Sequence, residues 1–358
     1  MFGSQPLMCM EFWVGWFDHW GKEEHSTVSP EAHAESLEQM LEQGHVNFYM
    51  FHGGTNFGFM NGSNYEDRIT ADVTSYDYDA PLSEDGQITE KYLQFQKVIS
   101  RFREIPKVKF TTPIIRKSYG TLQLEEKVGL FDTLDTLSTP VRESMPLSME
   151  ELGQNYGYVL YRSTLTRGKE IESCEICGGA DRAIIFTDGK QTEIRNDTEM
   201  HKTTGFELQG ERGSLDILME NQGRVNYGPR IELQKKGISQ GVLINGTFHM
   251  GWDMYSLPLE DVSKADYSRG YKEGLPAFYK FTFQADEAGD TFLDVDGFGK
   301  GCAFVNGRNI GRFWERGPQK RLYIPGPLLK EGVNEIILFE TDGKAADTIR
   351  LADTPDLG

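Results

Sequence analysis

Apolar positions follow two different patterns along the chain, and the change of pattern divides the sequence. In the first hundred residues, short apolar runs alternate with amphipathic stretches. Pro6 to Phe12 is a compact apolar run, read as a buried strand. Ser29-Pro30-Glu31 then offers an N-cap, a proline at the first helical position and an acid in the first turn. Ala34, Leu37, Met40 and Leu41 follow at helical spacing, and Gly44 closes the segment. Val46 to Phe51 reads as a second buried strand running into His52-Gly53-Gly54. After a long polar loop Thr89 caps a second helix, with Tyr92, Phe95, Val98, Ile99 and Phe102 on one face and Pro106 just past its end. Strand, helix, strand, helix calls for a parallel sheet.

From about residue 110 the texture changes to short β-rich segments. "SYGTLQLEE", "YGYVLYRSTL", "RAIIFTDGKQTEI", "SLDILMENQ", "AFYKFTFQA" and "CAFVNGRNIG" are β-rich and punctuated by Gly, Asn-Gly and Asp-Gly turns. No convincing amphipathic helix interrupts them, and two consecutive β-sandwiches suit the length. The expected layout is 1–106 as two βα units, 107–141 as a connector with a strand, and 142–250 and 251–358 as the two sandwiches. The last boundary is placed in the stretch "MGWDMYSLPLE". The fold class is α/β followed by all-β.

Composition narrows the function classes. A net charge of −18 repels phosphate backbones, so nucleic acid is not an expected partner. Val46 to Phe51 is the nearest approach to a spanning helix and falls far short of the roughly 20 residues a bilayer requires, so no membrane partner is expected. Four cysteines in 358 residues make no disulfide framework, which slightly favours a cytoplasmic setting. A signal peptide lost with the amino terminus leaves the same trace, so the compartment stays open. A homo-oligomer is likewise left open.

Three segments concentrate chemistry at strand ends. "PLMCMEFWVGWFDHWG" surrounds one carboxylate, Glu11, with aromatic side chains. Such a group serves as nucleophile or general acid/base, or it is a buried glutamate paired with a distant Arg or Lys. "NFYMFHGGTNFGFMNG" offers Tyr49, His52, Asn56 and Asn61 as polar tips among glycines, and "TSYDYDAPLSEDG" packs Tyr76, Asp77, Tyr78 and Asp79 before a proline. Their ordinary readings are a glycine-rich surface loop and a solvated acidic turn. All three fall on the same edge of one sheet, where α/β folds build active sites. Cys174-Glu-Ile-Cys177 lacks a second pair, so no metal site is expected. "GFGKG" at 297 to 301 lacks the P-loop spacing. "LMENQGRVNYG", with Glu220-Asn221, reads as structural because it sits among sandwich strands.

These segments, together with "TSYDYDAPLSEDGQITEKY", "ENQGRVNYGPRI" and "VNGRNIGRFWERGPQKRLYIPGPLLKEGVNEIILFE", make the chain resemble the β-galactosidases of glycoside hydrolase family 35 along nearly its whole length. The resemblance implies a (β/α)8 barrel followed by jelly-roll domains, the last galactose-binding-like. It implies hydrolysis of terminal β-galactosyl residues with retention, on a β-galactoside oligosaccharide or glycoconjugate, without a cofactor. By position Glu11 corresponds to the nucleophile at the end of barrel strand 7. Tyr49 and Tyr78 correspond to tyrosines of the sugar subsite, and Trp13 and Trp16 to aromatics beside the nucleophile. Nothing here matches the family's acid/base glutamate, because the chain starts at what corresponds to strand 7. The expectation is therefore an amino-terminally truncated chain, carrying the nucleophile alone and inactive by itself. The competing expectation is a non-catalytic carbohydrate-binding or structural β-sandwich protein with a barrel remnant. A related enzyme acting on another β-glycoside also fits the residues.

Overall fold

The computed structural model describes residues 6–77, 79–107, 114–166, 170–229 and 231–358. Strand β1 (Met8–Trp13) and strand β2 (His45–Tyr49) pair in parallel, with Met8 opposite His45 and Trp13 opposite Tyr49. Helix α1 (Pro30–Gln43) joins them, and its Ser29 hydroxyl accepts the Ala32 amide at 3.2 Å. Gly44 ends the helix in extended backbone, so no left-handed cap explains the glycine. The reason is steric: a Cβ at Gly44 would lie 2.3 Å from the Leu7 carbonyl oxygen, where the chain turns into β2. Helix α2 (Glu90–Ile99) begins at Thr89, whose hydroxyl accepts the Tyr92 amide.

Both helices cover one face of the strand pair. Phe12, Val14, Ala34, Leu37, Phe95 and Val98 form that core. The opposite face stays open, with Met10 65% and Trp13 56% exposed. Reading Pro6–Phe12 and Val46–Phe51 as buried strands is thus corrected. An apolar run in a two-stranded sheet buries only the face its helices reach, and among the described residues nothing covers the other. The hairpin of β3 (Ser63–Tyr65) and β4 (Ile69–Ala71) leaves this unit, and β3 pairs in parallel with Val225–Tyr227 of the next domain.

A six-stranded sheet follows, in the order 190–196, 182–187, 213–220, 158–165, 252–257, 141–143. A four-stranded sheet, 204–207, 170–180, 237–244, 247–248, faces it across a core containing Val159, Tyr161, Ile176, Ile217, Val242 and Trp252. Trp252–Leu257, expected at the start of the second sandwich, lies inside the first and pairs with 158–165.

The second β-domain is one eight-stranded sheet curled round a single core, and its end strands 308–314 and 321–324 meet. Strand β5 (Gly120–Gly129), expected in a connector, sits centrally between 277–285 and 348–352. Helix α3 (Leu130–Leu137) follows at once, where no helix was expected. Eight residues of "LFDTLDTL" are too short and too rich in Thr and Asp to announce a helix. Its apolar side nonetheless enters a cluster with Tyr158, Phe186, Phe278 and Phe339 that joins the two β-domains.

Candidate functional site

Glu11 lies in β1, where the register with β2 shifts between Cys9 and Phe12. The shift lets Phe12 turn under the helices while Glu11 and Trp13 both stand on exposed surface. The Trp13 indole Nε1 donates to Glu11 Oε2 at 3.2 Å. Beside them the Asn47 side-chain amide donates to the Met10 carbonyl at 2.9 Å, tying the two strands together under the carboxylate.

An unbroken run of rings leads away from Glu11. Trp13 and Trp16 have centroids 5.0 Å apart, Trp16 and Phe17 stack at 5.0 Å and 20°, and Phe17 meets Tyr76 at 5.2 Å. Tyr76 is placed by its backbone, whose amide donates to Gly54 O at 2.9 Å. Burial, with Tyr49 and Asp72 nearby, pushes the Tyr76 phenol above its ordinary range, so it stays a neutral donor at physiological pH.

Phe17, Tyr49 and Tyr76 open into a cleft of about 530 Å³. Its other wall comes from the first β-domain, with Asn155, Tyr156, Asn221, Arg224 and Asn226. Of the residues expected from sequence, Glu11, Trp13, Trp16 and Tyr49 lie on or beside one aromatic surface, although the cleft itself takes in only Tyr49 among them. Tyr78 lies outside the described residues. The structural reading of "LMENQGRVNYG" is corrected in part: Glu220 is fully buried, but Asn221, Arg224 and Asn226 line the cleft. The pairing of 225–227 with β3 brings them there, a contact across about 160 residues that no local pattern signals.

Beyond Tyr76, three of the carboxyl groups at 74–88 have shifted affinities for their protons. Burial pushes Asp77 up to about 8, with Glu84 and Asp85 adding to the shift. Burial also pushes Glu84 up to about 7, against the Thr55 hydroxyl, which donates to it at 2.5 Å. Burial acts on Asp85 too, but Arg116 outweighs it and holds the carboxyl low through two hydrogen bonds of 2.5 and 2.8 Å.

Cys174 is buried in the first β-domain core, which pushes its thiol up to about 12, and all four cysteines are free. Among the described residues no group of three His, Cys, Asp or Glu side chains is placed to hold a metal ion. No helix among them is long and apolar enough to cross a membrane.

A carboxylate held by an indole N–H at the head of an aromatic surface can stabilise or attack a centre of developing positive charge. The rings beyond it can take the apolar faces of a sugar. Comparison with known proteins points the same way. Residues 1–102 match glycosyl hydrolases family 35, residues 146–258 the first all-beta domain of beta-galactosidase, and residues 276–334 the galactose-binding domain of beta-galactosidase. The chain is 36% identical to human beta-galactosidase-1-like protein 2, over 99% of its own length and 57% of that protein's. It is 39% identical to human beta-galactosidase-1-like protein 3, over 99% and 55%. It is 37% identical to a beta-galactosidase of Xanthomonas manihotis, over 90% and 54%. The chain thus spans little more than half the length of these relatives.

Proposed function

The chain belongs to glycosyl hydrolase family 35, and from that premise we propose that it carries the nucleophile side of a retaining exo-β-galactosidase. Its two parallel strands are, on this reading, the end of a (β/α)8 barrel. Its substrates are terminal β-D-galactosides of oligosaccharides or glycoconjugates. Glu11 attacks the anomeric carbon as the leaving-group oxygen departs, and water later releases the galactosyl ester, a double displacement.

One observation carries the proposal: Glu11 is hydrogen-bonded to Trp13 at the head of the ring series that ends at Tyr76, beside Tyr49 in the cleft. The indole N–H holds one carboxylate oxygen, which orients the other lone pairs for attack. Trp16 and Phe17 offer apolar faces to the ring carbons and exclude water from the developing charge. Tyr49, and Tyr78 in the following loop, are assigned to the sugar hydroxyls. Retaining chemistry also needs a second carboxyl group about 5 Å from the first. By the resemblance, nothing in residues 1–358 matches the family's acid/base glutamate, so in this proposal that group comes from outside them. Loss of a general acid/base costs about 10²–10⁴-fold in rate. The 358-residue chain should therefore turn over unactivated galactosides negligibly.

The test separates the nucleophile from the missing acid. The dinitrophenyl glycoside of 2-deoxy-2-fluoro-β-galactose has a leaving group that departs without protonation. Incubated with the chain, it should leave a fluorogalactosyl ester on the peptide containing Glu11, seen by mass spectrometry and absent from E11Q. An unlabelled Glu11 peptide at millimolar reagent would refute the assignment. If such a chain still bound β-galactosides in solution, the non-catalytic sugar-binding alternative would take its place.

A further inference from the structure

The cleft wall rests on a residue that never enters the cleft. Arg312 belongs to strand 308–314 of the second β-domain and is 1% exposed. Its Nη1 donates to Asn61 Oδ1, its Nη2 donates to the Asn221 carbonyl at 2.7 Å, and its guanidinium lies 4.7 Å from the Phe59 ring centroid. Phe59 and Asn61 come from the loop after β2, and Asn221 comes from the first β-domain. All three line the cleft, whereas no residue of the second β-domain does. The backbone of Arg312 is tied to the same unit just after β4: its amide donates to Thr74 Oγ1 at 3.0 Å, and that hydroxyl donates back to Arg312 O at 2.7 Å. Gly311 makes this approach feasible, because a Cβ there would sit 2.3 Å from Thr74 Cγ2.

We infer that Arg312 is a positioning residue, through which the second β-domain sets the geometry of a cleft built by the other two units. Only arginine has several donors in a rigid planar fork that can serve an amide oxygen and a carbonyl on different segments while stacking on a ring. Asn61 extends the chain of contacts: its amide nitrogen donates to Asp72 O at 2.8 Å and to Gln222 O at 3.1 Å. Without Arg312, two buried acceptors lose their donors, and Phe59 and Asn61 lose the support that fixes their side chains. The assignment of a galactosyl ligand to this cleft rests on the function proposed above; the positioning role does not.

The experiment uses the full chain with R312M, R312K and N61A. Hydrogen exchange followed by mass spectrometry should show segments 56–62 and 72–76 exchanging faster in R312M and N61A. Strands 277–285 and 332–340 should keep wild-type protection in both. R312K, which retains a cation and one donor, should fall between wild type and R312M. Calorimetry with 1-deoxygalactonojirimycin should give a Kd raised about 10- to 100-fold in R312M, the size of effect expected when remote support shifts a site by about an ångström. Loss of protection throughout the second β-domain in R312M, with N61A at wild-type exchange, would reduce Arg312 to a residue of its own domain's core. Unchanged exchange in both variants would overturn the inference outright. N61A breaks the contact from the loop side, so it decides the matter even if R312M does not fold. A wild-type chain that fails to bind the iminosugar counts against the proposed ligand, while the exchange data still judge Arg312.

Discussion

Glu11 depends on Trp13 for more than hydrophobic cover. Among the described residues the indole N–H is the one hydrogen bond to its carboxylate, at 3.2 Å, and both side chains are exposed. A hydrogen bond in such a wet setting contributes about 1 kcal/mol. W13F keeps a ring against Trp16 and removes only the donor. Fluorogalactosyl labelling of Glu11 should then slow about fivefold, with the labelled peptide unchanged. W16F should slow labelling less, because Trp16 contributes contact area rather than a hydrogen bond to the carboxylate. A W13F rate equal to wild type would mean that Trp13 only packs, and that the carboxylate is oriented by groups this chain does not supply.

The loop at 74–88 is where pH should act. Asp77 is pushed up to about 8 and Glu84 to about 7, mainly by burial. Both folded values lie above the ordinary carboxyl range, so the folded state holds these protons more tightly than the unfolded chain does. Their contribution to stability is fully present below about pH 4 and is lost as pH rises through 7 to 8. Exchange in 74–88 should accordingly quicken between pH 6 and 8.5, after correction for the intrinsic rate. D77N/E84Q should flatten that trend, and an equally steep profile in the double variant would assign it to other groups. The strands and helices flanking this loop differ in how far sequence announces them. Helices α1 and α2 were legible because Ser29, Pro30 and Thr89 are local signals and the apolar spacing is regular. Strand β5 was visible as a strand but not as the centre of a sheet, since its partners lie about 150 and 225 residues further on. Trp252–Leu257 was misplaced for the same reason. The site divides along that line too. Glu11, Trp13, Trp16 and Tyr49 sit on segments close in sequence and in space, whereas Arg224 and Arg312 reach the cleft or its support only through long-range pairing.

The two β-domains meet on buried charge. Glu220 of the first β-domain is 2% exposed and paired with Lys300 of the second, with Arg182 and Arg312 at 3.8 Å. Arg182 continues to Asp342 at 2.7 Å. Burial alone would push the Glu220 carboxyl up, but the charges of Lys300, Arg182 and Arg312 outweigh it and hold the group low. It is therefore ionised, and its partners are what make that tolerable. Lys300 is the cation that bonds Glu220 directly, the two guanidiniums standing 3.8 Å away, so removing it takes the buried carboxylate's hydrogen-bonded partner, at a cost of about 3 kcal/mol. K300M should lower the free energy of urea unfolding by that amount. K300M/E220M removes the anion together with its bonded cation and should recover part of the loss, since an apolar pair replaces an ion pair that had to be desolvated, while Arg182 keeps Asp342 and Arg312 keeps Asn61 and the Asn221 carbonyl. The comparison between single and double variants is decisive. If the double variant is as unstable as the sum of its parts, the residues act independently. If it recovers, Lys300 and Glu220 are coupled across the junction, and Arg312 supports the cleft from beside that pair.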